Sequence, residues 1–202
     1  MIENLRIKRL LALSCLFIGF CQSASAIDIA GMKVDESARV SNKELKLNGA
    51  GIRVKAIFKV YVAALYLAEK KTTVPEVLDI AGPRRLTLIM LREISSEDFG
   101  QSFMTGLNAN SDKAEKSKII NQMVKMGEIF ASIPSLKKGD TITTDWIPGS
   151  GMVIQVNGKA VGEVLPDINF FNAYLKIWLA DKALYQAKES GRNRVTCFDP
   201  AA

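Results

Sequence analysis

The chain has 202 residues, 27 of them basic and 21 acidic, and it contains no histidine. That absence excludes Ser-His-Asp and Cys-His nucleophilic sites and disfavours catalytic zinc, so acid–base work would fall to Asp, Glu, Lys or Tyr. The net charge of +6 is not gathered into a Lys/Arg stripe with interleaved aromatics, so nucleic acid is not an expected partner.

Residues 1–26 read as a secretory signal peptide. Arg6, Lys8 and Arg9 precede the apolar run LLALSCLFIGF, and Ala24-Ser25-Ala26 is a small-x-small cleavage signal. The run is too short for a bilayer, which needs about 20 residues, so no integral membrane segment is expected after cleavage. Residues 27–202 are then one domain, placed in the periplasm if the host is Gram-negative. Cys15 and Cys21 leave with the signal, Cys197 remains alone, and no intramolecular disulfide forms.

Residues 27–67 read as β structure, punctuated at Gly31 and Asn42. A short helix is expected over 72–81, opened by a threonine and Pro75. Residues 86–91 form a buried strand. Ser95 or Ser96 caps a helix whose first turn holds Glu97 and Asp98 and whose apolar stripe is Phe99, Phe103 and Leu107. Asn108 to Ser111 is a loop. A longer helix over 113–133 carries Ile119, Ile120, Met123, Met126, Ile129 and Phe130 on one side and stops before Pro134. Strands return over 140–147, 152–156 and 159–164, the last two joined by the hairpin signal Asn157-Gly158. A final helix spans 167–188, and the tail after Gly191 is loop-like. With no repeat and no linker, the class is a single α+β domain. Gly149, Gly151 and Gly158 do not have the spacing of a phosphate loop, and nothing indicates a metal or an organic cofactor.

The stretch LNGAGIRVKAIFKVYVAALYL (47–67) places Arg53 after a Gly-Ala-Gly turn in a largely apolar, strand-forming run. A guanidinium is not left dry without a partner. Arg53 therefore reaches solvent, pairs with a carboxylate such as Glu93 or Asp145, or receives an anion from outside. Lys55 and Lys59 suit the solvent face of the strand. Trp146 and Trp178 suit the core.

Four segments together resemble the chalcone isomerase-like family: 49–67, LREISSEDF (91–99), GDTITTDWIPGSGMVIQVNGKAVG (139–162) and INFFNAYLKIWLADKAL (168–184). The match is nearest to the bacterial secreted branch. The resemblance implies an open-faced sandwich, a large mainly antiparallel sheet with a helical layer on one face and a ligand cleft between them. The family holds enzymes that close chalcones into flavanones, fatty-acid-binding members, and members without catalysis. The resemblance puts the enzymes' arginine on Arg53. Their threonine falls on Tyr61, their tyrosine on Phe99, their asparagine near Gly106 with Asn108 a loose substitute, and their specificity Thr/Ser on Ile177. Arg92, also within the family pattern, is expected to clamp helix to sheet.

Three of these positions lose their polar group, and oxyanion donors are usually the largest catalytic contribution. What is kept, an arginine with a tyrosine, suits holding a carboxylate. The expected function is binding of a fatty acid or other amphipathic carboxylate at Arg53, Tyr61, Phe99 and Ile177. An isomerase (intramolecular lyase) using Arg53, and an interaction protein with a vestigial cleft, are the alternatives. On one continuous strand Arg53 and Tyr61 would lie about 26 Å apart. They meet only if the chain reverses within VKAIFK, which has no Gly, Pro, Asn or Asp.

Overall fold

The first strands are closed by residues that accept a positive φ. The structure, a computed structural model, describes residues 25–133 and 135–179, and the backbone alone of 196–198. Strands β1 (Ala26–Ile29) and β2 (Met32–Asp35) join through Ala30 and Gly31, at φ 53° and 82°. Strands β3 (Ser37–Val40) and β4 (Lys43–Lys55) join through Ser41 and Asn42, at φ 46° and 62°. Two successive positive φ angles match the right-handed twist of the strands they connect.

Strands β1 and β2 pair with each other as a separate sheet, and six further strands join β3 and β4 in the main one: β5 (Phe58–Leu67), β6 (Arg84–Met90), β9 (Thr141–Ile147), β10 (Gly151–Val156), β11 (Lys159–Ala160) and β12 (Thr196–Phe198). Their order is β11-β10-β9-β6-β5-β4-β12, with β3 also on β4, and all pairs are antiparallel except β12 with β4. The short strands β7 (Ile94–Ser95) and β8 (Ser135–Leu136) pair with each other apart from it.

Helices α1 (Val74–Leu78), α2 (Ser96–Ala109), α3 (Lys113–Ser132) and α4 (Ile168–Leu179) are the described helices. Their starts carry the caps that orphan N–H groups require. Thr73 and Glu76 form a reciprocal capping box on α1, and its hydrogen bonds hold the Glu76 carboxyl down at about 2. Ser95 caps α2, and Asp112 with Glu115 box the start of α3. Phe99, Phe103 and Leu107 of α2 and Met123, Met126 and Phe130 of α3 pack with α4 over one sheet face. Strand β5 is buried on both sides. Tyr61, Ala63, Leu65 and Leu67 meet the helices, while Val62, Ala64 and Tyr66 join a second apolar cluster with Ile29, Val34 and Val40.

Adjacent residues of β6 serve opposite faces. Arg85 grips its cross-strand partner Asp145 with two 2.6 Å hydrogen bonds on the second face. Arg84, fully buried under the helices, donates Nη1 to the Val77 and Leu78 carbonyls closing α1 and to Asn172 Oδ1 of α4. Its guanidinium lies 4.9 Å from the Phe171 ring centre, and burial pulls its pKa down to about 10, still cationic at neutral pH.

Several expectations shift at their edges. Ile120 is 53% exposed because it lies about 100° round the helix from the buried Ile119. Helix α1 is shorter than 72–81, since Thr73 caps it and Asp79 ends it. Strand β11 stops at Ala160, and Gly162 turns the chain at φ 68° against Ile129. Residues 196–198 form a strand and not a loop, drawn to the open edge of β4. The expected signal segment up to residue 24, Pro134 as helix terminator and the final helix beyond 179 lie outside the described residues. Among the described residues no helix is long and apolar enough to cross a membrane, and no cluster of His, Cys, Asp and Glu is arranged to hold a metal.

Candidate functional site

Arg53 and Tyr61 meet because β4 and β5 form a hairpin with only Ala56 and Ile57 at its tip. Ala56 takes φ 55°, a left-handed conformation that costs an alanine about 1–2 kcal/mol. The long ladder behind it, running from Lys46–Leu67 to Lys55–Phe58, imposes the turn that the local sequence does not mark. The pairing slips between Arg53 and Val54, and Val60 is the extra residue. This bulge turns both Val60 and Tyr61 towards the helical layer and sets Arg53 directly across from Tyr61.

Arg53, Tyr61, Phe99 and Ile177 all line one pocket between sheet and helices. Arg53 is 6% exposed, and no carboxylate among the described residues forms an ion pair with it. Asp145 is held by Arg85, and Glu93 is exposed. The Trp178 indole N–H donates to Tyr61 Oη at 3.0 Å. Burial raises the Tyr61 pKa, and the nearby Arg53 and the Trp178 bond only partly oppose this, so the phenol keeps its proton at neutral pH. The polar groups here are thus a guanidinium, an indole N–H and a phenol that already accepts a bond. The indole N–H is already spent on Tyr61, which leaves the guanidinium N–H groups and the phenol O–H as donors for an incoming acceptor.

Apart from Ser102 and the exposed Lys55, the rest of the pocket lining is apolar. Phe99 packs edge-on to Tyr61, with ring centres 6.3 Å apart. A Cβ added at Gly106 would lie 2.8 Å from Ile177 Cγ2, so Ile177 sits in the notch that glycine leaves on α2. Gly106→Ala is expected to cost about 1–2 kcal/mol by overpacking, despite alanine's better helix propensity. In an Ile177→Ala background the same change becomes stabilising by up to about 1 kcal/mol. Urea melts of the four proteins measure this coupling, and an additive cycle would show that the contact is loose. The cavity has about 430 Å³ of empty space out to its mouth, little of it wide enough for a water molecule.

A family model described as chalcone isomerase-like matches residues 26–188. The chain belongs to the chalcone isomerase-like family. The crystal structure of an Arabidopsis thaliana fatty-acid binding protein is similar, with TM-score 0.61 and 14% identity, over 80% of this chain and 94% of that one. At this identity the likeness establishes the shared fold. No curated protein matches the chain in sequence.

Within this chalcone isomerase-like site, three readings of the sequence change. Trp178 is buried as a core residue should be, yet its N–H makes the hydrogen bond that orients Tyr61. Its place beside Ile177 was the available signal. Asn108 is exposed near the end of α2 and does not line the pocket, whereas Ser102, one turn after Phe99, does. Arg92 is exposed and lies 4.6 Å over the Phe58 ring at the hairpin, so it stacks on the β4–β5 tip and does not clamp a helix. Trp146 packs against Phe171 in the core, and Lys59 faces solvent. Lys55 is exposed and also borders the pocket.

Proposed function

We propose that this chalcone isomerase-like protein binds an amphipathic carboxylate of the fatty-acid type and does not transform it. The observation that carries the reading is the buried pair of donors Arg53 and Tyr61, the phenol oriented by Trp178, in a mostly apolar pocket. A carboxylate supplies two acceptor oxygens and the compensating charge, and the arginine fork suits it. Phe99, Gly106 and Ile177 offer no polar group where the resemblance puts those of the enzymes. The fatty-acid binding named for the Arabidopsis relative points the same way. The small cavity accommodates the head group. The alkyl chain leaves through the mouth or displaces Ile177 and Phe99. Secretion to the periplasm belongs to this proposal and rests on the leader-like sequence of residues 1–26.

The test is to titrate purified protein with decanoate by calorimetry, and to extract natively purified protein for mass spectrometry. Saturable binding and a co-purifying carboxylate are expected. No heat of binding, no extracted lipid and no ligand-induced rise in melting temperature would end the proposal. Because Tyr61 stays protonated, affinity is expected to be flat from about pH 6 to pH 9, below even the ordinary phenol range. Chalcone absorbance should not fall faster with protein than without. Clear turnover would favour the isomerase reading, since the same donors also suit an oxyanion.

A further inference from the structure

The β4–β5 tip carries features that the pocket does not use. Ile57 is 86% exposed and Phe58 53% exposed, side by side at the end of the hairpin. Lys55 and Lys59 flank them, and Arg92 stacks on the Phe58 ring. All three cations are exposed, and none forms an ion pair among the described residues. The next residue after Arg92 is the acid Glu93, which leaves the tip with a net positive charge.

We propose that this tip docks on an anionic lipid surface, with Ile57 and Phe58 entering the interface and Lys55, Lys59 and Arg92 meeting the headgroups. A convex pair of apolar side chains within a ring of cations is the pattern that a lipid interface receives. It is ill suited to a stable protein partner, which needs about 1,000 Å² or more of complementary surface. Position supports the assignment. Lys55 and Val60 belong both to the hairpin and to the pocket lining, so docking brings the pocket mouth to the layer where anionic amphiphiles reside. The short turn, held by Ala56 in its left-handed conformation, keeps Ile57 outward. Docking itself does not depend on what the pocket holds.

The experiment is co-sedimentation of the mature chain with vesicles of equimolar phosphatidylglycerol and phosphatidylcholine, and with phosphatidylcholine alone. Binding to the anionic vesicles is expected to be on the order of a hundredfold tighter and to weaken steeply as salt is raised. The Ile57→Ser/Phe58→Ser and Lys59→Glu/Arg92→Glu double variants should each lose about tenfold or more. Both should keep the wild-type melting temperature and decanoate affinity. Failure of decanoate binding in the wild type would strike the pocket reading and leave the docking result standing. Absence of binding to anionic vesicles, equal binding to neutral ones, or folded variants that bind as well as wild type would overturn the proposal.

Discussion

Replacing Arg53 by methionine is expected to abolish carboxylate binding and, at the same time, to raise the melting temperature. The binding loss follows from charge-assisted hydrogen bonds, about 1.5–3 kcal/mol each, so losing the fork should weaken decanoate at least about a hundredfold. The stability gain follows from the empty state. Arg53 is buried, no carboxylate among the described residues pairs with it, and apart from the Tyr61 hydroxyl beside it the pocket lining is mostly apolar. A desolvated charge without a partner is a cost that methionine of similar length does not incur. A gain of about 1–2 kcal/mol corresponds to a rise of about 2–8 °C in a chain of this size. Arg53→Lys should keep some affinity, because it retains charge but loses the planar fork. Calorimetry with decanoate and thermal melts without ligand read both effects. A clear fall in melting temperature for Arg53→Met would make Arg53 a structural residue.

Arg84→Ala should behave in the opposite way. Arg84 is also buried, yet its Nη1 fills three acceptors: the Val77 and Leu78 carbonyls and Asn172 Oδ1. Removing it takes this donor from those acceptors and opens a cavity beside Phe171, and the long Asn172 Nδ2–Leu78 carbonyl bond at 3.4 Å is left between α1 and α4. The expected loss is about 3–5 kcal/mol, or about 6–20 °C in melting temperature. Arg84 does not line the pocket, so decanoate affinity should persist below the new melting point. A variant that unfolds at the wild-type temperature would show that α1 and α4 are held by other contacts. The two buried arginines thus carry opposite predictions. Among the described residues, Arg84 Nη1 ties two elements together, although its Nε and Nη2 find no partner, whereas Arg53 has only the Tyr61 hydroxyl beside it.

Most of the fold was legible where local chemistry decides it. Ser95 caps its helix for reasons contained within four residues, and Asn157-Gly158 closes its hairpin by backbone preference alone. The site was legible only in part. Arg53 stood out as a charge in an apolar run. Its meeting with Tyr61 was not legible, because Ala56 and Ile57 have no turn chemistry of their own and reverse the chain under the demand of the ladder behind them. The bulge at Val60 was hidden for the same reason. Trp178 read as core because burial and aromatic spacing are local, while its bond to Tyr61 joins residues from opposite ends of the domain. Arg84 and Arg85 drew no reading from the sequence, and only the sheet's alternation separates their roles.

The seating of Ile177 against Gly106 also limits what position 106 can become. A Cβ there would press on Ile177 Cγ2 at 2.8 Å, and a valine or threonine at 177 would carry the same methyl. Any residue larger than glycine at 106 meets that crowding for as long as 177 keeps a β-branched side chain, so change at 106 waits on change at 177.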